Sequence, residues 1–453
     1  MIRISIDTIQ KWIDASIYGC DNPEIKIDGV SIDSRQVKMG TLYIPILGAR
    51  VDGHSFIEDV KKQGASASFW QKDHQPYPQG IPLILVDDTL EAMQKLAKAY
   101  IDSIDPIVIG ITGSNGKTSC KDMMQSVCSM KYKSQCTQGN RNSEYGLPLT
   151  IFDLEPDTEV AILEMGLERP GDLELLCSIA QPHYSVITSI GSAHMEAFGN
   201  KDEIAKGKLE ILANTRPGGY FYYHKDSESI ERVIEEIERE KNIEIYSFGT
   251  RAEIEIEGDI SHYEDGISFI PKGWDKKVSL PVLGDFQAMN SLPVIAIATE
   301  LGLTHEQIIE GLEKMKLTKM RSVRKVIGNA SILDDTYKSN PESAKAAIDT
   351  LMTMPAQTHI AVLADMLDLG PEENQLHAQV GSYAKQVGVD KVYCLGELSK
   401  HTAQAFNGQW FETKEELIQQ LKEEIQTPCA ILVKGSRAMQ MDTIISELEG
   451  ETI

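Results

Sequence analysis

The 453-residue chain has no disulfide frame to read. Its seven cysteines (Cys20, Cys120, Cys128, Cys136, Cys177, Cys394 and Cys429) are odd in number and form no CxxC pair. That pattern excludes a stapled scaffold and a structural zinc ribbon, and it fits reduced thiols in a cytoplasmic protein. Positive charge is scarce. The 44 Lys and Arg against 68 Asp and Glu leave a net charge of -24, so a nucleic acid or an anionic membrane surface would be repelled. No apolar run approaches the ~20 residues of a membrane span, and the opening MIRISIDTIQKW lacks the apolar stretch of a signal peptide. Internal repeats and low-complexity linkers are absent. A deficit of cations still leaves room for a small phosphorylated ligand, which needs only a local pocket of backbone amides and one or two cations.

What is present is ordinary globular material, 42% apolar and 25% charged, in a length that calls for two or three domains. Residues 1–86 read as short strands and turns around one helical stretch at 55–63. From 87 to 314 strands alternate with helices. A helical stretch at 90–102 precedes an apolar run at 107–111, a second helical stretch covers 119–130, and the apolar runs at 160–163 and 184–190 suit central parallel strands. Residues 315–453 repeat the alternation, with strands at 360–363, 392–395 and 430–433 and helices at 343–353, 375–387 and 414–425. The expectation is an α/β protein of three domains: a small α/β domain, a central mononucleotide-binding parallel sheet, and a C-terminal Rossmann-like sheet without a GxGxxG fingerprint. The acidic stretch 228–244 reads as a solvated helix face.

The sharpest local signal is a strand ending at Thr112 that runs into Gly113-Ser114-Asn115-Gly116-Lys117-Thr118 and then a helix. Glycines let backbone N–H groups turn inward on a phosphate, the helix N-terminus adds positive potential, Lys117 reaches the terminal phosphates and the Thr118 hydroxyl takes Mg²⁺. Ile111 stands where the general pattern has its first glycine, so the loop is a variant. The competing reading is a plain glycine turn followed by a chance Lys-Thr, and the order strand, loop, helix favours the nucleotide.

Two further groups follow strand ends, Glu164 after 160–163 and His194 after 184–190. Ligands of open parallel sheets bind at the carboxyl ends of the strands, so both can face the same triphosphate. A hard Mg²⁺ prefers oxygen, which makes Thr118 and Glu164 its natural ligands; His194 is a less expected one and can instead orient neighbours. Alone, Glu164 reads as a strand-end carboxylate and His194 as a satisfied loop histidine. Lys206 and Lys208, in a helical stretch at 201–212, read by composition as solvated lysines.

In order along the chain, the segments 112–118, 137–148, 163–166, 190–194, 204–208, 334–341, 362–370 with His377, and 432–437 resemble the Mur ligases. Nearly the whole chain is covered. The segments 32–35 and 48–54 resemble that family's UDP-binding segments, and the last three motifs resemble its branch that adds D-alanyl-D-alanine. The resemblance implies a UDP-sugar domain at 1–86, an ATPase domain at 87–314 and a Rossmann-like domain at 315–453. It implies an ATP-dependent ligase that joins the carboxylate of UDP-N-acetylmuramoyl-tripeptide to the amine of D-alanyl-D-alanine through an acyl phosphate, in the cytoplasm, with monomer as the default state.

By the same resemblance Gly113, Ser114, Asn115, Gly116, Lys117, Thr118, Asn290 and Arg321 bind ATP. Thr118 and Glu164 hold one Mg²⁺, and His194 and Lys208 help hold a second, Lys208 as a carbamylated lysine with Lys206 as the competing position. Ser34, Arg35, Asp52, His54, Asn140, Asn142, Asp335, Tyr337 and Asn340 contact the substrates, and Lys117, His194 and Lys208 are the catalytic set. Departures are Ser189 for an asparagine, Phe286-Gln287 for a His-Asn pair, Lys338-Ser339 for an Asn-Ala pair, and Leu167-Glu168 where small or amide residues are common. They put the adenine and dipeptide contacts in doubt. They also keep open a nucleotide-binding regulatory paralogue without ligase activity, and the nucleotide loop does not separate this branch from a ligase adding a single amino acid.

Overall fold

The computed structural model describes residues 1–48, 50–240, 242–316 and 318–450. Ala49, within the 48–54 segment, and the last three residues of the chain lie outside it. The chain is α/β, as its pattern implies. The first region carries a five-stranded sheet in the order Ser16–Tyr18, Leu83–Val86, Ala67–Gln71, Leu42–Tyr43, Val30–Ser31, parallel except for its first pair. The helix Ile6–Ile13 precedes it, started by the Ser5 side chain accepting from Thr8 N–H. The sequence reading passed over this helix, although Ile6, Ile9 and Ile13 fall on one helical face.

The central sheet has six parallel strands in the order Glu244–Phe248, Tyr220–His224, Tyr184–Ile187, Ile107–Thr112, Val160–Glu164, Ser134–Cys136. The expected strand at 184–190 ends at Ile187; Thr188 still donates its N–H to the Thr112 carbonyl at 2.9 Å, and its hydroxyl turns onto the Asn115 carbonyl. The acidic stretch at 228–244 is not one helix face. It is helical over Glu228–Val233, turns through Ile234–Glu236 and enters a strand at Glu244, because Ile230, Ile234 and Ile243 are buried anchors. A three-stranded antiparallel sheet, Ile256–Tyr263, Gly266–Pro271 and Val278–Leu280, interrupts the expected alternation.

The C-terminal sheet runs Val323–Ile327, Ala330–Asp335, Cys429–Lys434, His359–Ala364, Lys391–Leu395, Gln409–Phe411, with only its first pair antiparallel. Helices Pro341–Thr353, Glu373–Gln386 and Lys414–Glu424 fall close to the expected stretches.

The hydrophobic cores join these sheets unequally. One core runs without interruption from Ile2, Ile6 and Phe69 through Leu96 and Tyr100 of helix Thr89–Ile104 to Leu147 and Phe152 of helix Gly146–Phe152 and Leu163 of the central sheet. Two other cores flank the C-terminal sheet and take only Leu283 from elsewhere among the described residues. No helix among the described residues is long and apolar enough to cross a membrane.

Candidate active site

The phosphate loop sits where the central strand Ile107–Thr112 feeds helix Lys117–Cys128. Two of its glycines are dictated by space and backbone. Gly113 has φ 148° and an added Cβ would lie 2.0 Å from Thr188 Oγ1; Gly116 has φ 84° and a Cβ would lie 2.3 Å from Asn290 Oδ1. Ile111 is a fully buried strand residue, so the missing first glycine of the pattern is spent on the core. The loop is braced from the neighbouring strand end: Ser114 N–H donates to Ser189 O at 2.9 Å and Asn115 N–H to Ser189 Oγ at 3.0 Å. Ser189, noted in the sequence only as a departure, is thus part of the loop's support.

Lys117 folds back to donate to the Gly113 carbonyl at 2.6 Å. Burial pulls its pKa down to about 8 against the opposing pull of Glu164, and a bound phosphate would favour the charged form. Glu164 is 2% exposed. Its two oxygens accept from Thr118 Oγ1 at 2.9 Å and Asn142 Nδ2 at 2.8 Å, which places an all-oxygen pair, hydroxyl and carboxylate, at the foot of the loop.

His194 takes φ 67° at the start of the short helix Met195–Phe198. Burial first, then the neighbouring lysines Lys338, Lys208 and Lys117, push its pKa down to about 3, so it is a neutral imidazole at physiological pH. Helix Lys201–Ala213 separates the two candidate lysines. Lys206 faces solvent and bridges Glu203 at 3.3 Å and Glu236 at 3.4 Å. Lys208 is 1% exposed, and its pKa lies well below the ordinary lysine value because of burial and the nearby Lys117 and Lys338 ammonium groups.

The C-terminal sheet supplies the facing wall. The Arg321 guanidinium lies 4.2 Å over the Tyr337 ring, with its buried Nε lacking a partner. Asp335 accepts from Ser322 N–H at 3.1 Å and pairs with buried Lys434 at 2.5 Å. One cavity of about 520 Å³ is lined by Ser114 to Thr118, Asn140, Asn142, Glu164, His194, Asn290, Arg321, Asp335 and Tyr337, together with Phe286, Gln287, Lys338 and Glu342. Gly113 and Lys208 stand behind this lining. Asn340 also stands back from it: its amide pairs reciprocally with the Asn115 amide at 2.9 and 3.2 Å while its Oδ1 caps helix Pro341–Thr353.

Ser34 and Arg35 lie elsewhere, on a second cavity of about 910 Å³ in the first region. Asp52 and His54 sit beneath that cavity rather than on it. Asp52 caps the turn Gly53–Phe56 and holds buried His54 Nδ1 at 2.7 Å. His54 stacks on His74 with ring centroids 4.3 Å apart, and one ligand atom each of Asp52, His54 and His74 lies within 4.8 Å of the others.

Sequence reasoning missed Glu342 and Lys434. Glu342 accepts from Ser192 N–H at 3.0 Å, Ser192 Oγ at 2.8 Å and Lys201 Nζ at 2.7 Å. Neither local spacing nor composition marks it. Lys434 stands inside the 432–437 motif but was given no role.

Three family models match the chain: the Mur ligase middle domain over residues 111–298, the Mur ligase glutamate ligase domain over 320–437, and the Mur ligase family catalytic domain over 26–101. A UDP-N-acetylmuramoyl-tripeptide--D-alanyl-D-alanine ligase of Bacillus subtilis (strain 168) is 34% identical over 457 residues, spanning 99% of each chain. The Escherichia coli (strain K12) protein of the same name is 30% identical over 458 residues, with 99% of each chain covered. Among solved structures, MurF from Acinetobacter baumannii superposes with a TM-score of 0.91 at 26% identity over 100% of both chains. MurF ligase from Thermotoga maritima in complex with ADP does so with 0.82 at 26% identity, over 93% of this chain and 97% of that one.

Proposed function

The chain belongs to the Mur ligase family, and we infer that it joins UDP-N-acetylmuramoyl-tripeptide to D-alanyl-D-alanine at the expense of ATP, releasing ADP and phosphate, in peptidoglycan precursor synthesis. The observation that carries the chemistry is the single cavity in which the phosphate loop of the central sheet faces Arg321, Asp335 and Tyr337 of the C-terminal sheet. Two anions, a carboxylate and a triphosphate, must meet there, so neutralising charge is the main task.

In this reading Lys117 leaves the Gly113 carbonyl for the terminal phosphates, and the loop amides hold the others. The tripeptide carboxylate oxygen attacks the γ-phosphorus, the bond to the β-phosphate oxygen breaks, and ADP leaves. The dipeptide amine then attacks the acyl carbon, phosphate leaves and the amine gives up a proton. Thr118 and Glu164 offer the oxygen donors that suit Mg²⁺, which would supply charge stabilisation at the phosphates. Asn142 keeps Glu164 aimed, Asn290 borders the loop, Arg321 reaches the nucleotide with its unpartnered Nε, and Asn140, Asp335 and Tyr337 face the incoming substrates. Ser34 and Arg35 bind the UDP end, with Asp52 and His54 shaping the floor beneath.

Lys208 is the residue we propose to be carbamylated. A buried amine held neutral is the nucleophile CO₂ requires, and the carbamate would lie between two ammonium groups; a protein given ¹³C-bicarbonate that shows no carbamate resonance would refute it. The domains follow as 1–86, 87–314 and 315–453, in a cytoplasmic monomer whose seven cysteines are free.

The test is phosphate release from Mg²⁺ and ATP with each substrate omitted in turn and a single amino acid offered in place of the dipeptide. Release requiring both substrates, with a pentapeptide product by mass, is the expected result. Release with the single amino acid and not the dipeptide would transfer the chain to another branch.

A further inference from the structure

Four carboxylates line the reaction cavity: Glu164, Glu168, Asp335 and Glu342. Three of them are engaged. Glu164 accepts from Thr118 and Asn142, Asp335 from Ser322 N–H and Lys434, and Glu342 from Ser192 and Lys201. The Glu168 carboxylate takes part in no hydrogen bond or ion pair among the described residues. Its neighbour does not serve it: Arg169 Nε pairs with Asp172 Oδ1 at 3.1 Å, and the same guanidinium leans to Glu144 at 3.7 Å. Lys338 feels Glu168 across the cavity, but its Nζ lies 3.3 Å from His194 Nε2 and makes no ion pair with Glu168.

The backbone beneath this carboxylate is fixed although the side chain is exposed. Gly166 N–H donates to the Asn142 carbonyl at 2.7 Å, and Leu167, 4% exposed, packs on Gly207 of helix Lys201–Ala213. Asp172 Oδ2 then accepts from both Glu168 N–H at 2.8 Å and Arg169 N–H at 2.9 Å. Glu168 stands where the resemblance leads one to expect a small or amide residue, so the unpaired charge is a property of this chain. An added anion works against a site whose task is to bring a carboxylate to a triphosphate, unless a bound cation answers it.

The substrate can bring that cation. The reacting carboxylate belongs to the third residue of the tripeptide, and that residue's side chain leaves the same carbon. Whatever recognises the end of the side chain must therefore lie in the cavity that holds the phosphate loop. We propose that Glu168 is a specificity-determining residue: its carboxylate receives the ammonium at the end of the third residue's side chain, so that the protein selects tripeptides whose third residue is a diamino acid. A compact ammonium on a flexible stem can reach a fixed carboxylate, and the hydrogen bond between two charged groups is among the stronger ones. Lysine and diaminopimelic acid both carry this group. An uncharged side chain of the same length would leave Glu168 alone beside the triphosphate, which is discrimination by an unanswered charge.

This deepens the ligase reading and rests on it. UDP-N-acetylmuramoyl-tripeptides that differ only at the third residue, L-lysine, diaminopimelic acid or L-norleucine, are compared in amide formation; norleucine keeps the carbon chain of lysine and lacks its ammonium. The expected wild-type KM for the better diamino substrate is about tenfold below that for the norleucine one, the order of one charged hydrogen bond at a partly exposed site. Whichever diamino acid has the lower KM names the source of the ammonium. Glu168→Gln should raise that KM about tenfold, leave the norleucine KM within about twofold, and leave kcat and the KM for ATP in place. Norleucine served as well as both diamino acids by the wild type overturns the proposal. So does a glutamine variant that shifts all three substrates alike, the result expected if Glu168 only balances Lys338. Failure of the ligase reading appears separately, as wild-type protein that forms no amide from any of the three; calorimetric binding of the same substrates needs no turnover and still reads the preference at Glu168.

Discussion

The central sheet meets its two neighbours in opposite ways. Toward the first region the seam is apolar and continuous: Phe69, Leu96 and Phe152 belong to one core, and the Ile2 N–H even donates to the Phe152 carbonyl at 2.7 Å. Toward the C-terminal sheet it is almost entirely polar: the Asn115–Asn340 amide pair, Glu342 on Ser192 and Lys201, Thr318 on Asp122, and Lys338 on His194. Apolar burial is non-directional and costly to open. Hydrogen bonds that can be exchanged for water or ligand contribute little net stability and fix geometry instead. The first seam therefore holds the UDP cavity at a set distance from the phosphate loop. The second is suited to opening and closing, and it is the one that lines the reaction cavity.

The largest effect that sharpens this contrast is expected at the apolar seam. Phe152→Ala removes a fully buried ring from the shared core and should cost about 3–5 kcal/mol of unfolding free energy, with turnover per folded molecule unchanged. Urea unfolding and active-site titration check the two halves; a loss under about 1 kcal/mol would mean that the first region is not held by that core. A smaller effect of the opposite kind is expected at the polar seam. Glu342→Gln keeps the volume but leaves a donor among Ser192 N–H, Ser192 Oγ and Lys201 without its acceptor. Since these donors position the segment ahead of His194 and the start of the helix carrying Lys208, turnover should fall about tenfold to a hundredfold for a misplacement of that kind. The urea midpoint should hardly move. A variant that loses stability and keeps its turnover would erase the distinction between the seams.

How far the sequence carried this follows the same division. The phosphate loop was legible because strand, glycines, Lys117 and Thr118 are contiguous, and Glu164 because it ends a buried apolar run. Lys208 could not be told from Lys206 until the packing of helix Lys201–Ala213 buried one and exposed the other. The closing contacts were not legible: Asn115 and Asn340 are 225 residues apart, Ser192 and Glu342 150, His194 and Lys338 144, and no local period links them. The antiparallel strand Ile256–Tyr263 escaped because its side chains are mostly exposed, which leaves no apolar run. The helix Ile6–Ile13 did carry its signal and was simply not read.

The smallest expected effect lies at the centre of the polar seam. Burial lowers the Lys117 pKa from the ordinary 10.5 to about 8. In the free protein the ammonium is present below pH 8 and lost above it, so kcat/KM for ATP, which reports free-enzyme groups, should decline as pH rises through about 8. Bound phosphates favour the charged form, so kcat itself should hold to higher pH. The stability sign is the reverse of an ion-paired lysine's. Between about 8 and 10.5 the unfolded chain keeps a proton that the native chain has released, so this group makes the fold more stable as pH rises through that window, and least stable below it. Lys117→Met should abolish the alkaline limb in ATP binding by calorimetry and remove that rise in stability. A limb that persists in the variant would assign the titration to another group and would leave Lys117 charged in the free protein.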